Sequence, residues 1–560
     1  MKRNLTKMVA FAAVGLLVLS GCGNKKGSIP KDSQGRIEDM ASRLPSSAEA
    51  AIFVGDIAKM RDTMNKIKTN VGSALPQVEA TEKQVENELG FNPLDAESWK
   101  SAGVPESSGF TIAFVNNRTT MMVYVDDRQK FDTLLAEKLK KATDSKEAPK
   151  TETVDGVEVK IVGAGEKQIA WTHDGKLAII ATGVLDAKLG GDQASPQKFV
   201  AGLTKTEAAK SASSTPEFKQ FTKGITADYA LAGYVNVSAL IKNPAYLEGK
   251  KEASADPAGK QFVDMFEKQA KTVGFGLTSD GNELKISGFY GADAATNKEL
   301  VAFSKSSAKS PFGAFATDNI LLGLRTAVDM EKSWAYYMKN MPEDQKKQIQ
   351  EQLKQANQAS GMDIEKDVIN QLSGNIGVFF YGIDIGALMG GMNNPMAALN
   401  GLDLAIGIQF KDAKAIDKIL AVATKQGGEA ATPKELPEDK SVKYIAAPDG
   451  SVKLFIKDNM LLVGTKKFAN QTAADALNGK ATGAKLADKG GNLGKAFGSD
   501  DPYNGLYLNV NKVNAIVSAL AAGNPAQKVL EKLDEASINT EATDNGGLLH
   551  IRLTLKGAAK

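Results

Sequence analysis

Sulfur and imidazole chemistry have almost no raw material in this chain. It holds one cysteine, Cys22, and two histidines, His173 and His550, in 560 residues. A lone cysteine excludes internal disulfides, and its position near the start excludes thiolate catalysis and cysteine-ligated metals in the folded part. Two isolated histidines fall short of the usual zinc ligand set, and no His-Glu-x-x-His occurs. Both lie beside or within expected strands and are expected in turns or at the surface. No cofactor or metal site is therefore expected. The Gly-x-Ser-x-Gly nucleophile elbow is also missing. Ser306-Ser307-Ala308-Lys309 has Ser-x-x-Lys spacing but none of its partner motifs. Gly490–Lys495 has the wrong spacing for a phosphate loop, and Ala496 stands where a metal-binding hydroxyl is needed.

A net charge of one sign is lacking too. Removing Lys2, Arg3 and Lys7 from the 69 basic residues leaves 66, equal to the 66 acidic ones. A neutral chain has no electrostatic footprint for nucleic acid. The 66 acids do leave room for a carboxylate-based hydrolase, with a site between repeats, as an alternative to a binding function.

Lys2, Arg3 and Lys7 precede an apolar run, Met8–Leu19. That run is shorter than the roughly 20 residues a membrane span needs. A basic start and a short apolar core read as a signal peptide over residues 1–21. Leu19-Ser20-Gly21-Cys22 resembles the lipobox of bacterial lipoproteins. The resemblance implies that Cys22 receives a diacylglycerol thioether and becomes the first residue. Two or three acyl chains, at about 0.8 kcal/mol per buried methylene, would hold the chain on a membrane. Gly23 rather than aspartate after the cysteine implies the outer membrane, facing the periplasm. In a source with one membrane it implies the outer leaflet of the cytoplasmic membrane. Residues 22–43 would be the lipidated tether, polar in their first part.

Beyond the tether one pattern is written twice. Leu44-Pro45, the strand Ala50–Val54 and the N-cap candidate Asp56 are answered by Pro311-Phe312, a strand at Ile320–Leu324 and a helix through Met330 and Trp334. Ser108-Gly109 matches Ser373-Gly374 at an offset of 265. Phe131, Leu134 and Leu135 match Ile416, Ile419 and Leu420 at 285. Turn pairs near Asp174 and Asp458 align Leu177 with Leu461. Tyr234-Val235-Asn236-Val237 matches Tyr507-Leu508-Asn509-Val510. The expected fold is α+β: two tandem repeats of antiparallel sheet with amphipathic helices, over 44–291 and 311–560, joined by 292–310. The leucine-proline, strand and aspartate-led helix resemble a family of bacterial envelope proteins known only as a domain of unknown function. That family implies no catalytic residues.

The step in offset gives repeat 2 an insertion of about 20 residues between Tyr381 and Leu402. Leu388, Met389, Met392 and Met396 make it apolar and adaptable, a candidate contact for membrane or partner. The expectation is a lipid-anchored envelope protein that binds a protein or an apolar ligand and does no catalysis. A lipid carrier with an apolar groove under a curved sheet is a further alternative.

Overall fold

The fold is α+β, two tandem antiparallel sheets with helices packed on them. The computed structural model describes residues 29–556, except 72–93, 144, 146, 184–193, 226–227, 305–310, 385, 388–399, 481–484, 486–487, 489–503 and 521–524. The chain divides into two units, Met1–Ala294 and Ala295–Lys560.

Unit 1 carries β1 (Ala50–Val54), β2 (Phe110–Val115), β3 (Arg118–Tyr124), β4 (Lys150–Val154), β5 (Val157–Val162), β6 (Ile169–Asp174), β7 (Leu177–Thr182), β8 (Leu231–Asn236), β9 (Ala270–Asp280) and β10 (Glu283–Ala292). Its ladders run β10-β9-β8-β1-β2-β3-β7-β6-β5-β4, antiparallel throughout.

Unit 2 carries β11 (Leu322–Ala327), β12 (Leu372–Ile383), β13 (Leu402–Phe410), β14 (Lys434–Leu436), β15 (Asp439–Ala446), β16 (Val452–Lys457), β17 (Met460–Thr465), β18 (Asn504–Asn509), β19 (Leu533–Thr543) and β20 (Gly546–Leu555). The order is β20-β19-β18-β11-β12-β13-β17-β16-β15-β14. Adding ten to each strand number of unit 1 reproduces it, so the two units are repeats of one topology.

Local chemistry repeats with the topology. Asp56 and Asp329 each accept a backbone N–H three residues on, from Lys59 at 3.0 Å and Lys332 at 3.1 Å, and so start the helix after the first strand. Tyr234 faces Ala51 across one ladder, and Tyr507 faces Gly323 across the matching one. Asn236 and Asn509 then cap the next helix by accepting from Ala239 and Lys512, both at 3.1 Å.

Two alignments shift. Leu177 pairs with Tyr124, and Met460 with Gln409, on equivalent rungs, so Leu177 corresponds to Met460 and Ala178 to Leu461. The cause is the turn. Gly175-Lys176 and Asp458-Asn459 are the two-residue loops, with positive φ at Gly175 and Asp458. Matching Asp174 to Asp458 therefore slipped the register by one, which puts side chains on the wrong face. The first strand of repeat 2 starts at Leu322, not Ile320, because Ile320 closes a turn by donating its N–H to the Thr317 carbonyl.

Repeat 1 has a helix-covered core. Met60, Trp99 and Phe131 pack with Val54, Met121, Val123 and Trp171. Repeat 2 packs Phe312, Phe315, Phe379, Phe455 and Tyr507 on the opposite sheet face, with a smaller core of Phe410, Ile416, Ile456 and Leu461 under the helix Ala413–Gly427.

Candidate functional site

Cys22, Leu388, Met389, Met392 and Met396 all lie outside the described residues, as do Ser306–Lys309 and Gly490–Lys495. The described residues instead offer an apolar sheet face in repeat 2 and two polar assemblies in repeat 1.

The apolar face follows from strand alternation. Along one row of repeat 2, Ile551, Ile538, Leu506, Leu324, Val378, Ile406, Val463 and Leu454 sit on successive strands. All eight are apolar; Leu324 is 36% exposed and the other seven are half-buried, Leu454 against the core around Ile416 and Ile456. In repeat 1 the matching Met121, Ile180 and Trp171 are buried with Trp99 and Phe131, while Ile52, on the rung of Leu324, is 37% exposed. The helices Met330–Asn340 and Glu343–Ser360 of repeat 2 bury no residue of their own. Apolar surface left in water costs about 25 cal/mol per Å². The sequence signal was present in the apolar residues at alternate positions of β11, β12 and β18.

The first polar assembly surrounds Asp132 on the helix Arg128–Thr143. One carboxylate oxygen accepts from Trp171 Nε1 at 2.9 Å and His173 Nε2 at 3.0 Å; the other accepts from Lys160 Nζ at 2.6 Å. Burial opposes its charge, but the bonds from His173, Lys160 and Trp171 outweigh it and hold the carboxyl far below the usual range. His173 is no surface residue: its side chain is 2% exposed, with Phe131 edge-on at 5.4 Å. Burial pushes the imidazole below its usual value, against the pull of Asp132. Its Nδ1 is buried with no hydrogen-bond partner among the described residues. A neutral ring donating through Nε2 leaves only a bare lone pair there, whereas protonation would bury an unpaired N–H. His550 is also largely buried, at 9% exposure. Both histidines thus depart from the turn-or-surface expectation, because each points inward from a strand.

The second assembly lines a cavity of about 420 Å³ between the β2–β3 turn and the helix starts at Pro216, Val237 and Pro244. Glu49, 5% exposed, accepts from Asn116 N at 3.2 and 3.1 Å and from Asn243 Nδ2 at 2.9 Å. Burial pushes its carboxyl up, against those hydrogen bonds. Sequence reading passed over Glu49 because one acid before a strand carries no pattern.

No protein-family model and no curated relative matches the chain. Among solved structures it is similar to crystal form I of TP0453, at 11% identity and a TM-score of 0.24 over 48% of this chain and 81% of that one. Crystal form III of TP0453 gives 10% identity and a TM-score of 0.23, with the same shares.

Proposed function

We propose that the chain is an exported envelope protein, lipid-anchored through Cys22, that acts by binding an apolar ligand and not by catalysis. The observation that carries the binding reading is the apolar row across repeat 2, half-buried along its length and exposed at Leu324. The anchor rests on Leu19-Ser20-Gly21-Cys22, and it puts acyl chains of envelope lipids within reach as the ligand class. Gly23 supports an outer-membrane address facing the periplasm. Leu388, Met389, Met392 and Met396 extend the same reading as a membrane or protein contact, on composition alone. Carboxylate hydrolysis is the poorer fit for Asp132. Asp132 already accepts three hydrogen bonds that hold its carboxyl charged, which suits holding charge and not delivering protons.

The test is titration of the mature chain, without its anchor, with a fluorescent fatty acid, together with mass spectrometry of whatever co-purifies. The proposal expects saturable binding and co-purifying lipid. Absence of both would refute it.

A further inference from the structure

Repeat 1 carries a second kind of site, independent of the apolar face. We propose that the Glu49 cavity binds a neutral, polyhydroxylated small molecule of the sugar class. Its volume, about 420 Å³, falls within the roughly 300–1,000 Å³ usual for small-molecule pockets. Four of its wall residues are more than nine-tenths buried: Glu49, Asn117, Asn236 and Asn243. These are built walls and not mobile surface groups.

The walls are bonded to one another before any ligand arrives. Asn243 donates to Glu49 and accepts from Ala245 N at 2.8 Å. Asn236 donates through Nδ2 to the Ser46 carbonyl at 3.2 Å while its Oδ1 caps a helix. Ser238 Oγ donates to Glu217 at 3.4 Å. Each side-chain amide has a second N–H, and each carboxylate has further lone pairs. The cavity thus offers fixed donors and fixed acceptors side by side.

That mixture discriminates among ligands. An anion would meet Glu49 and Glu217. A cation would meet Lys242 at the rim and a Glu49 already supplied with two donors, Asn116 N–H and Asn243 Nδ2. An apolar molecule would strand the wall's polar groups, at a cost of about 1–3 kcal/mol each. A hydroxyl donates to carboxylates and accepts from amides, so a polyol satisfies both. Repeat 2 has no counterpart to the acid. Glu49 N donates to the Phe114 carbonyl and its own carbonyl accepts from Asn236; Leu321 makes the matching bonds with Phe380 and Asn509. The backbone rung is therefore the same with glutamate or leucine, and the fold does not require the acid.

The experiment is calorimetric and saturation-transfer titration of the mature chain with glucose, N-acetylglucosamine and maltose, with glucosamine and glucuronate as charged comparators. At least one neutral sugar should bind, and its charged comparator should bind at least about tenfold more weakly. Glu49→Leu should weaken binding by about tenfold or more. Lys242→Ala and Ser47→Ala alter exposed rim groups without threatening the fold, and each should weaken it by roughly threefold. Three results would overturn the proposal: no neutral sugar bound at tens of millimolar, a charged comparator preferred, or loss confined to Glu49→Leu with both rim variants at wild-type affinity.

Discussion

His173 and Ile456 occupy the same rung of the same hairpin in the two repeats, His173 opposite Ala178 and Ile456 opposite Leu461. Around His173 the repeat builds a polar network on Asp132. Around Ile456 it packs Ile416, with Ile445 and Leu454 alongside. Matching rungs put Ile445 in place of Lys160 and Leu454 in place of Trp171. One backbone thus supports either a charged cluster or an apolar seam.

The charged cluster makes stability depend on pH. His173 is held below 6.5 when folded, so on acidification the unfolded chain takes its proton first. Its contribution is full above about pH 6.5 and is lost as pH falls from there towards the folded value. Asp132, held below its usual 3.8, contributes above that pH and loses its share as pH falls further. His173→Ile should flatten the denaturation midpoint between pH 7 and pH 5, where the wild type declines. Parallel curves for the two proteins would contradict this. Asp132→Asn should cost about 1–3 kcal/mol at neutral pH.

Much of the architecture was legible because it rests on short-range signals. Aspartate before an apolar-periodic helix, Tyr-x-Asn-Val, and paired turn residues recur wherever the backbone does. Leu177 aligns one position off because Asp174 precedes the Gly-Lys loop whereas Asp458 opens the Asp-Asn loop, and only the ladder decides which residues turn. The sites were less legible for a different reason. Asp132, Lys160, Trp171 and His173 are brought together from a helix and two strands, and no spacing in the sequence announces them.

The Ser-Gly match between the repeats has a steric cause. A Cβ at Gly109 would lie 2.4 Å from the Val54 carbonyl oxygen, and one at Gly374, where φ is +90°, would lie 1.4 Å from that of Val328. Gly109→Ala and Gly374→Ala should each cost about 3 kcal/mol or more. Gly281→Ala, in an open turn at φ +50°, should cost only about 1 kcal/mol. Denaturant midpoints for the three variants check the order.

The paired caps should differ by a defined amount. Asn509→Ala loses a helix cap, about 1 kcal/mol. Asn236→Ala also loses the bond to the Ser46 carbonyl, and should cost about 1 kcal/mol more. Equal costs, measured by denaturation, would show that the second bond contributes nothing.

Anchoring is tested on Cys22. Cys22→Ser should abolish incorporation of a fatty-acid analogue and leave the signal peptide uncleaved at the normal position. Equal labelling of variant and wild type would remove the lipobox from the account.

The most direct test of ligand binding by repeat 2 is Leu324→Glu, assayed by fatty-acid titration and thermal melting together. Leu324 sits mid-row and is 36% exposed, so a carboxylate there reaches water and should shift the melting temperature by only a few degrees. Binding should fall by about tenfold or more, because an apolar ligand would have to desolvate the new charge. Fatty-acid affinity unchanged by Leu324→Glu in a folded chain would contradict the assignment of that face.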